Sequence, residues 1–567
     1  MEADRVADQA RHGAAASHRL AGVRHWLRHY ARHLSFPGVA LGWLLVIVSL
    51  TPSLLPRSWI VQGIVSGIAL AQGYGLGVAI AWLARHAGIP RPGPRMRQRA
   101  WYTLAALSAI SVPLVTVLSS RWEAPIRRAV GVAAPSPPLY PAELAVAVLM
   151  AAGIVGAARL IHDAHGSLAG RLRRYLPVPA ARLISVGVVS AAVLGLAALV
   201  TNQVLLRAVD VGYSATNGGS LPGLARPVSP LRSGSPSSLV NWSSLGMEGR
   251  AFVASGPTPA QIERVTRRHA VEPIRVYVGL ASAPTIRAEA SLALRELKRT
   301  GAFRRALLAI AVPTGRGSVY DSLADPLEYM YGGDTAIAAV QYSYLPSWIA
   351  FAAQRPQARQ AGRALFDTVY GYWSTLPREH RPRLVIFGES LGAYGAEAAF
   401  SGVADMTART SGALFVGAPN STEVRQELTA GRVPGSPERL PVYGNGRVVR
   451  FAGSPGDLRL PGGGLSHPAV VYLQHASDPV VWWSPALLWH KPDWLAEPRG
   501  PGVPSTMQWY PFVTFWQISA DLIVSSTTPG YGHYYGPEIP TAWAAILHPP
   551  GWTSADAARM PKVSGPP

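Results

Sequence analysis

The stretch RLVIFGESLGAYGAEAAF, residues 383–400, decides the fold. Residues 384–387 are apolar and partly β-branched, as a short buried strand requires. Residues 393–400 are small and apolar and suit the start of a helix. Between them lies Gly388-Glu389-Ser390-Leu391-Gly392, a G-x-S-x-G turn. A strand that stops at a sharp bend lifts a serine hydroxyl above the sheet. The helix that follows then aims its N-terminal amides at a developing oxyanion. Gly388 and Gly392 remove side chains that would clash in such a bend. The pentapeptide alone is a weak signal in a chain with 56 glycines among 567 residues, where a plain strand–helix turn competes. Its setting selects Ser390 as the nucleophile, with Gly388, Glu389 and Gly392 as its elbow.

Composition separates this stretch from the first part of the chain. Apolar residues make up 49% and charged residues 15%, a balance that points to membrane segments. Apolar runs cover 38–55, 59–84, 101–119, 143–161 and 183–206, most of them near the ~20 residues that span a bilayer. The first run is the weakest of them, being short and ending in Thr51-Pro52-Ser53, and the first two runs also suit a helical hairpin. The expected layout is a basic cytoplasmic segment over 1–36 and a transmembrane domain of about five helices over 37–208. Arginines cluster before the first run (Arg19, Arg24, Arg28), after the second (Arg91, Arg95, Arg97) and before the fifth (Arg171, Arg173, Arg174). The intervening loops are poorer or mixed, so the basic loops are expected inside and everything after the fifth run outside. Gly63 and Gly67, and Gly73 and Gly77, have the spacing that lets helices approach closely.

Other classes recede on the same evidence. The net charge is +21, but Lys occurs only at Lys298, Lys491 and Lys562, and no basic helix interleaves with aromatics. Nucleic acid is therefore not an expected partner. The chain has no cysteine, which removes disulfides and thiolate metal sites. It also has no H-E-x-x-H and no carboxylate-rich loop, so no metal or other cofactor is expected.

Residues 210–238 are rich in Gly, Pro and Ser and read as an irregular tether within a linker over 209–245. From 246 to 567 strands alternate with helices. Strands are expected at 274–280, 306–312, 335–342, 384–387, 413–416 and 470–473, which implies a mainly parallel sheet with helices on both faces. The runs LVIFGESLGAYGAE, VVYLQHASDPV and GYGHYYG resemble the α/β-hydrolase fold. Together with IRVYVGL, VPTGRGSV and GGDTAIAAVQYSYLPSW, behind a multi-span N-terminal half, they are similar to the actinobacterial membrane-anchored α/β-hydrolase family. The resemblance covers nearly the whole chain and implies a multi-span α-helical membrane domain followed by an α/β-hydrolase domain.

A serine nucleophile needs a base, and the base needs an orienting acid. In this fold they follow in the order Ser, Asp or Glu, His. Asp478 lies just past the strand at 470–473, where the fold supplies its acid; helix N-capping is the competing reading. Asp457, in a Gly/Pro loop, and Asp334, before a strand, are the rivals. His533 sits in a glycine-framed loop and suits general-base work, with His475 as the alternative. The segment before His533, 512–524, looks partly helical, so 507–512 is the expected last strand. The oxyanion hole needs two backbone amides. Leu391 supplies one, and Thr314 or Gly315, in the loop after an early strand, the other. Arg316 reads as a solvated cation or an anion contact. Six tryptophans between Asp478 and His533 suit a pocket roof, a membrane interface or ordinary packing.

The expected activity is serine esterase or lipase chemistry on lipid or acylated envelope substrates, with membrane lipids as partners. The alternatives are an acyltransferase to a lipid or glycan hydroxyl, and a non-catalytic membrane scaffold with a hydrolase-like fold.

Overall fold

The computed structural model describes residues 34–133, 139–200, 206–459, 469–526 and 530–561; most of the basic N-terminal segment lies outside them. The chain forms two compact units. The first holds residues up to Thr51, with Ser58–Trp122 and Pro135–Ser167, and the second holds Pro52–Arg57, Glu123–Ala134 and Leu168–Pro567.

Helices α1 (Phe36–Ser49), α2 (Trp59–His86), α3 (Pro94–Ala129), α4 (Leu139–Leu172) and α5 (Val178–Leu199) carry the apolar runs. Four of them, α2 to α5, are long and apolar enough to cross a membrane. Helix α1 has 14 residues, or about 21 Å of rise, short of the ~30 Å hydrocarbon core. The structure thus offers four full-length candidates where about five were expected. In the most apolar windows of α3 and α5 only 6% is buried, so these side chains lack protein cover and suit lipid.

Small residues bring the helices of the first unit together. A Cβ at Gly77 would lie 2.2 Å from the Pro37 carbonyl oxygen, and one at Gly73 would lie 2.6 Å from the Gly42 Cα. Ser49 and Ser66 exchange a hydrogen bond of 2.9 Å near the other end of the pair. The register shows α1 running antiparallel to α2, the hairpin that the sequence allows. Gly63 and Gly67 face α4 in the same way, against Val146 and Met150.

In the second unit seven parallel strands form one sheet in the order β1-β3-β2-β4-β5-β7-β6. They are β1 (Ile274–Val278), β2 (Leu307–Val312), β3 (Thr335–Val340), β4 (Arg383–Glu389), β5 (Gly412–Val416), β6 (Val449–Ala452) and β7 (Val470–Leu473). Consecutive residues of β1, β2, β3 and β5 are all buried, so both faces of the sheet are covered. The helices Ile286–Thr300, Arg355–Trp373 and Leu391–Glu397 pack together as one layer, while Asp321–Met330 packs with Glu538–Leu547.

Three local expectations change. Residues 507–512 form no strand; β6, absent from the sequence reading, pairs with β7 and fills that sheet edge. The segment read as an irregular tether is helical over Leu206–Gly218. It then lies along β1, where the Ser233 amide donates to Arg275 O and the Arg275 amide to Leu231 O. The backbone finds sheet partners there despite its Gly, Pro and Ser content. Asp457, the rival acid in the Gly/Pro loop, accepts from the Gly453 amide and the Ser454 hydroxyl and so fixes its own turn.

The helix layer beside Ser390 is packed to backbone contact. A Cβ at Gly362 would sit 2.0 Å from the Gly395 carbonyl oxygen, whereas one at Gly371, on the same helix, meets nothing within 4 Å. Gly362→Ala is expected to destabilise the second unit by about 1–3 kcal/mol. Gly371→Ala is expected to be neutral or to stabilise by up to about 1 kcal/mol. Thermal unfolding of the detergent-solubilised chain checks both signs.

Candidate active site

Ser390 stands between β4 and the helix Leu391–Glu397 with φ 58° and ψ −126°, a backbone region that non-glycine residues rarely enter. The surroundings enforce the bend. A Cβ at Gly388 would lie 2.4 Å from the Gly392 carbonyl carbon, and one at Gly392 would lie 2.3 Å from the Val312 oxygen. The Ser390 amide donates to Val416 O at 2.9 Å, which ties the turn to the end of β5.

Asp478 follows β7 and is fully buried. Its Oδ1 accepts from the Val480 amide at 2.8 Å. Its Oδ2 pairs with His533 Nδ1 at 2.7 Å and accepts from the Tyr535 hydroxyl at 2.7 Å. Each oxygen thus has its own role in the packing: Oδ1 caps the short helix Pro479–Trp482, and Oδ2 meets the imidazole of His533. Asp334, by contrast, lies before β3 and is half exposed beside Arg305.

His533 is buried, and its Nε2 has no hydrogen-bond partner among the described residues. The ring covers Gly417, where a Cβ would lie 2.3 Å from His533 Cε1. Gly417 follows Val416, whose carbonyl holds the Ser390 amide. The imidazole is thus seated beside the strand end that fixes the serine bend. Burial disfavours the imidazolium, but the charge and hydrogen bond of Asp478, with a further contribution from Glu389, outweigh it and raise the His533 pKa.

His475, the alternative base, is already committed. Its Nδ1 contacts Gly532 O at 3.0 Å and its Nε2 contacts Glu538 Oε1 at 2.9 Å. Its amide donates to the Tyr535 hydroxyl at 3.0 Å. Two histidine–carboxylate pairs therefore share Tyr535 as a bridge. The sequence reading missed Tyr535 and Glu538; their signal was the recurrence of polar residues at 533, 535 and 538 after a glycine-rich turn.

The oxyanion candidates differ in what their amides already do. Leu391 occupies the first helical position, where the amide has no intrahelical acceptor. The Thr314 amide donates to Ser318 O at 3.0 Å across its turn, which takes it out of the donor set. Gly315 remains. A Cβ there would lie 2.8 Å from the Ser347 Cα, so this backbone needs glycine to pass the helix Ser347–Ala353. Arg316 pairs with Glu248 at 3.3 Å.

The tryptophan-rich stretch between Asp478 and His533 builds a second apolar cluster. Trp482 and Trp494 are buried there with Leu487, Met507, Ile518 and Tyr531. Trp489 is exposed.

Residues 274–560 match the alpha/beta-hydrolase family, and residues 50–257 match the N-terminal region described for the same family. Comparison with curated proteins and with solved structures returns no match. The first match spans just over half of the 567 residues, and the chain belongs to the alpha/beta-hydrolase family.

Glu389, beside the nucleophile, is buried, and burial first of all pushes its carboxyl up from 4.5 to about 8. Between those values the folded chain holds a proton that the unfolded chain has lost, so stability falls as pH rises across that window. Glu389→Gln should remove this slope. The variant's unfolding temperature is expected to match wild type near pH 4.5 and to exceed it near pH 8. The limit is about 1.4 kcal/mol per pH unit.

Proposed function

We propose that this member of the alpha/beta-hydrolase family is a membrane-anchored serine hydrolase of the esterase or lipase type. The finer placement in the actinobacterial membrane-anchored branch rests on the sequence motifs. One observation carries the reading. A buried imidazole is oriented by a carboxylate at 2.7 Å, and its other nitrogen has no partner among the described residues beside a strained serine bend.

In this mechanism Ser390 Oγ attacks the ester carbonyl carbon while His533 Nε2 takes the hydroxyl proton. The amides of Leu391 and Gly315 receive the oxyanion. Collapse breaks the bond to the alcohol oxygen, which leaves with the proton from His533. Water, deprotonated by the same nitrogen, then cleaves the acyl-enzyme. Asp478 holds the imidazole and balances its transient charge. The base works only when neutral, so its raised pKa places the acid limb of activity above the ordinary histidine value of 6.5.

Lipid or acylated envelope esters are the proposed substrates because α2 to α5 would keep the domain at a membrane. Charge supports an extracytoplasmic catalytic domain. The segments Pro52–Arg57 and Glu123–Ala134 group with the α/β unit, while the loops between α2 and α3 and between α4 and α5 carry the arginine clusters.

Fluorophosphonate labelling of membranes containing the chain tests the reaction. Wild type is expected to label, with a rate that rises with pH through an apparent pKa above 6.5. Ser390→Ala should abolish labelling, and His533→Ala should slow it by about 10³-fold or more. Equal labelling of all three would refute the triad. The topology has its own test, since the chain has no cysteine. Glu379→Cys should react with an impermeant maleimide on intact cells, and Arg91→Cys only after permeabilisation. The reverse pattern would refute the orientation.

A further inference from the structure

The segment Pro52–Arg57 joins α1 to α2, yet it is part of the second unit. Its Leu54 and Leu55 are buried in the tryptophan-rich cluster, beside Ile126 and Val130 from the segment that ends α3. Its polar groups converge on Asp521, the last residue of the helix Val513–Asp521 and fully buried. One carboxylate oxygen, Oδ2, accepts from Ser53 Oγ at 2.5 Å, from the Leu54 amide at 3.1 Å and from the Leu55 amide at 3.3 Å. Arg57 of the same segment lies 3.9 Å from the other oxygen, Oδ1. A buried carboxylate with three donors is a strong and specific anchor, and removing a donor leaves part of its hydrogen-bonding capacity unmet. No step of the proposed reaction uses it.

Asp521 opens the segment that ends at His533. The His533 amide donates to Ser525 O at 2.7 Å. The residues just before the histidine are held between two supports. On one side the Gly532 amide donates to Ser477 Oγ at 3.1 Å, next to the acid Asp478. On the other, the Leu55 side chain lies 3.4 Å from where a Gly532 Cβ would be, and the Tyr531 hydroxyl, which donates to Gly502 O, also lies 3.4 Å from Leu54 O. The second support is not from the α/β domain's own sequence. Arg127 continues the arrangement by donating to Arg57 O at 3.1 Å.

We propose that Ser53, Leu54, Leu55 and Asp521 are positioning residues for His533, so that the loop between the first two apolar helices acts as a strap completing the hydrolase site. The inference rests on the serine-hydrolase reading above. It makes the catalytic geometry depend on a segment more than 400 residues away in the chain, as the separation of 468 between Ser53 and Asp521 shows.

The test uses the full chain in membranes and reads the fluorophosphonate labelling rate per folded molecule, with the folded fraction taken from thermal unfolding. Asp521→Asn and the milder Ser53→Ala should slow labelling by on the order of ten- to a hundredfold, the scale of a misplaced catalytic group. Ser53→Thr, which keeps the hydroxyl, should restore the rate to near wild type. Val265→Ala, in the separate cluster of Ile262, Val265, Ala270 and Tyr329, should lower stability without changing the rate per folded molecule. Wild-type rates in both Asp521→Asn and Ser53→Ala would overturn the strap while leaving the triad intact. A wild-type chain that never labels would overturn the hydrolase reading and the strap with it.

Discussion

The second unit is organised around the backbone bend at Ser390. With φ 58° and ψ −126°, the serine holds a conformation that costs on the order of 1–3 kcal/mol and persists only where its surroundings over-determine it. Here they do. Gly388 and Gly392 leave no room for side chains, and the bend rests against the end of β2 at Val312. The same close approach continues outward through Gly395 and Gly362, so two helices and three strands meet at backbone distance. A site built this way is positioned by the sheet itself and not by flexible side chains.

The other half of the site is assembled differently. His533 stands on a loop, and its placement comes from a buried polar network instead of strand geometry. Asp478, Tyr535, His475, Glu538 and Ser477 all lock the loop from the side of β7. From the side of the tryptophan-rich cluster, Leu54 and Leu55 pack with Tyr531, and Leu55 approaches Gly532. Buried networks of this kind are rigid when fully satisfied and costly when broken. The bend gives the serine a fixed direction, while the network holds His533 through residues far apart in the chain.

Much of this was legible in the residues. The apolar runs at 59–84, 101–119, 143–161 and 183–206 mark the long helices, because sustained hydropathy needs no tertiary context. The strands β2, β3, β5 and β7 were legible for the same reason, being continuous apolar runs bounded by glycines or polar turns. Ser390, Asp478 and His533 were placed by the order of elements, and the structure brings the last two into direct contact. Between the two oxyanion candidates in the loop after β2, Thr314 and Gly315, a single turn hydrogen bond that no sequence pattern encodes engages the Thr314 amide. Strand β6 escaped because Arg450 interrupts its four-residue apolar run, whereas the equally short β7 is apolar throughout. The contacts of Ser53 with Asp521 escaped because nothing local to either residue signals a partner so far away.

The most direct measurement is a structure of the full chain after inactivation by a fluorophosphonate. The expected result is a phosphorus atom bonded to Ser390 Oγ, with its anionic oxygen within hydrogen-bond reach of the Leu391 and Gly315 amides and His533 Nε2 facing the bond to Ser390. An adduct on any other residue, or an adduct at Ser390 with His533 turned away from Asp478, would contradict it.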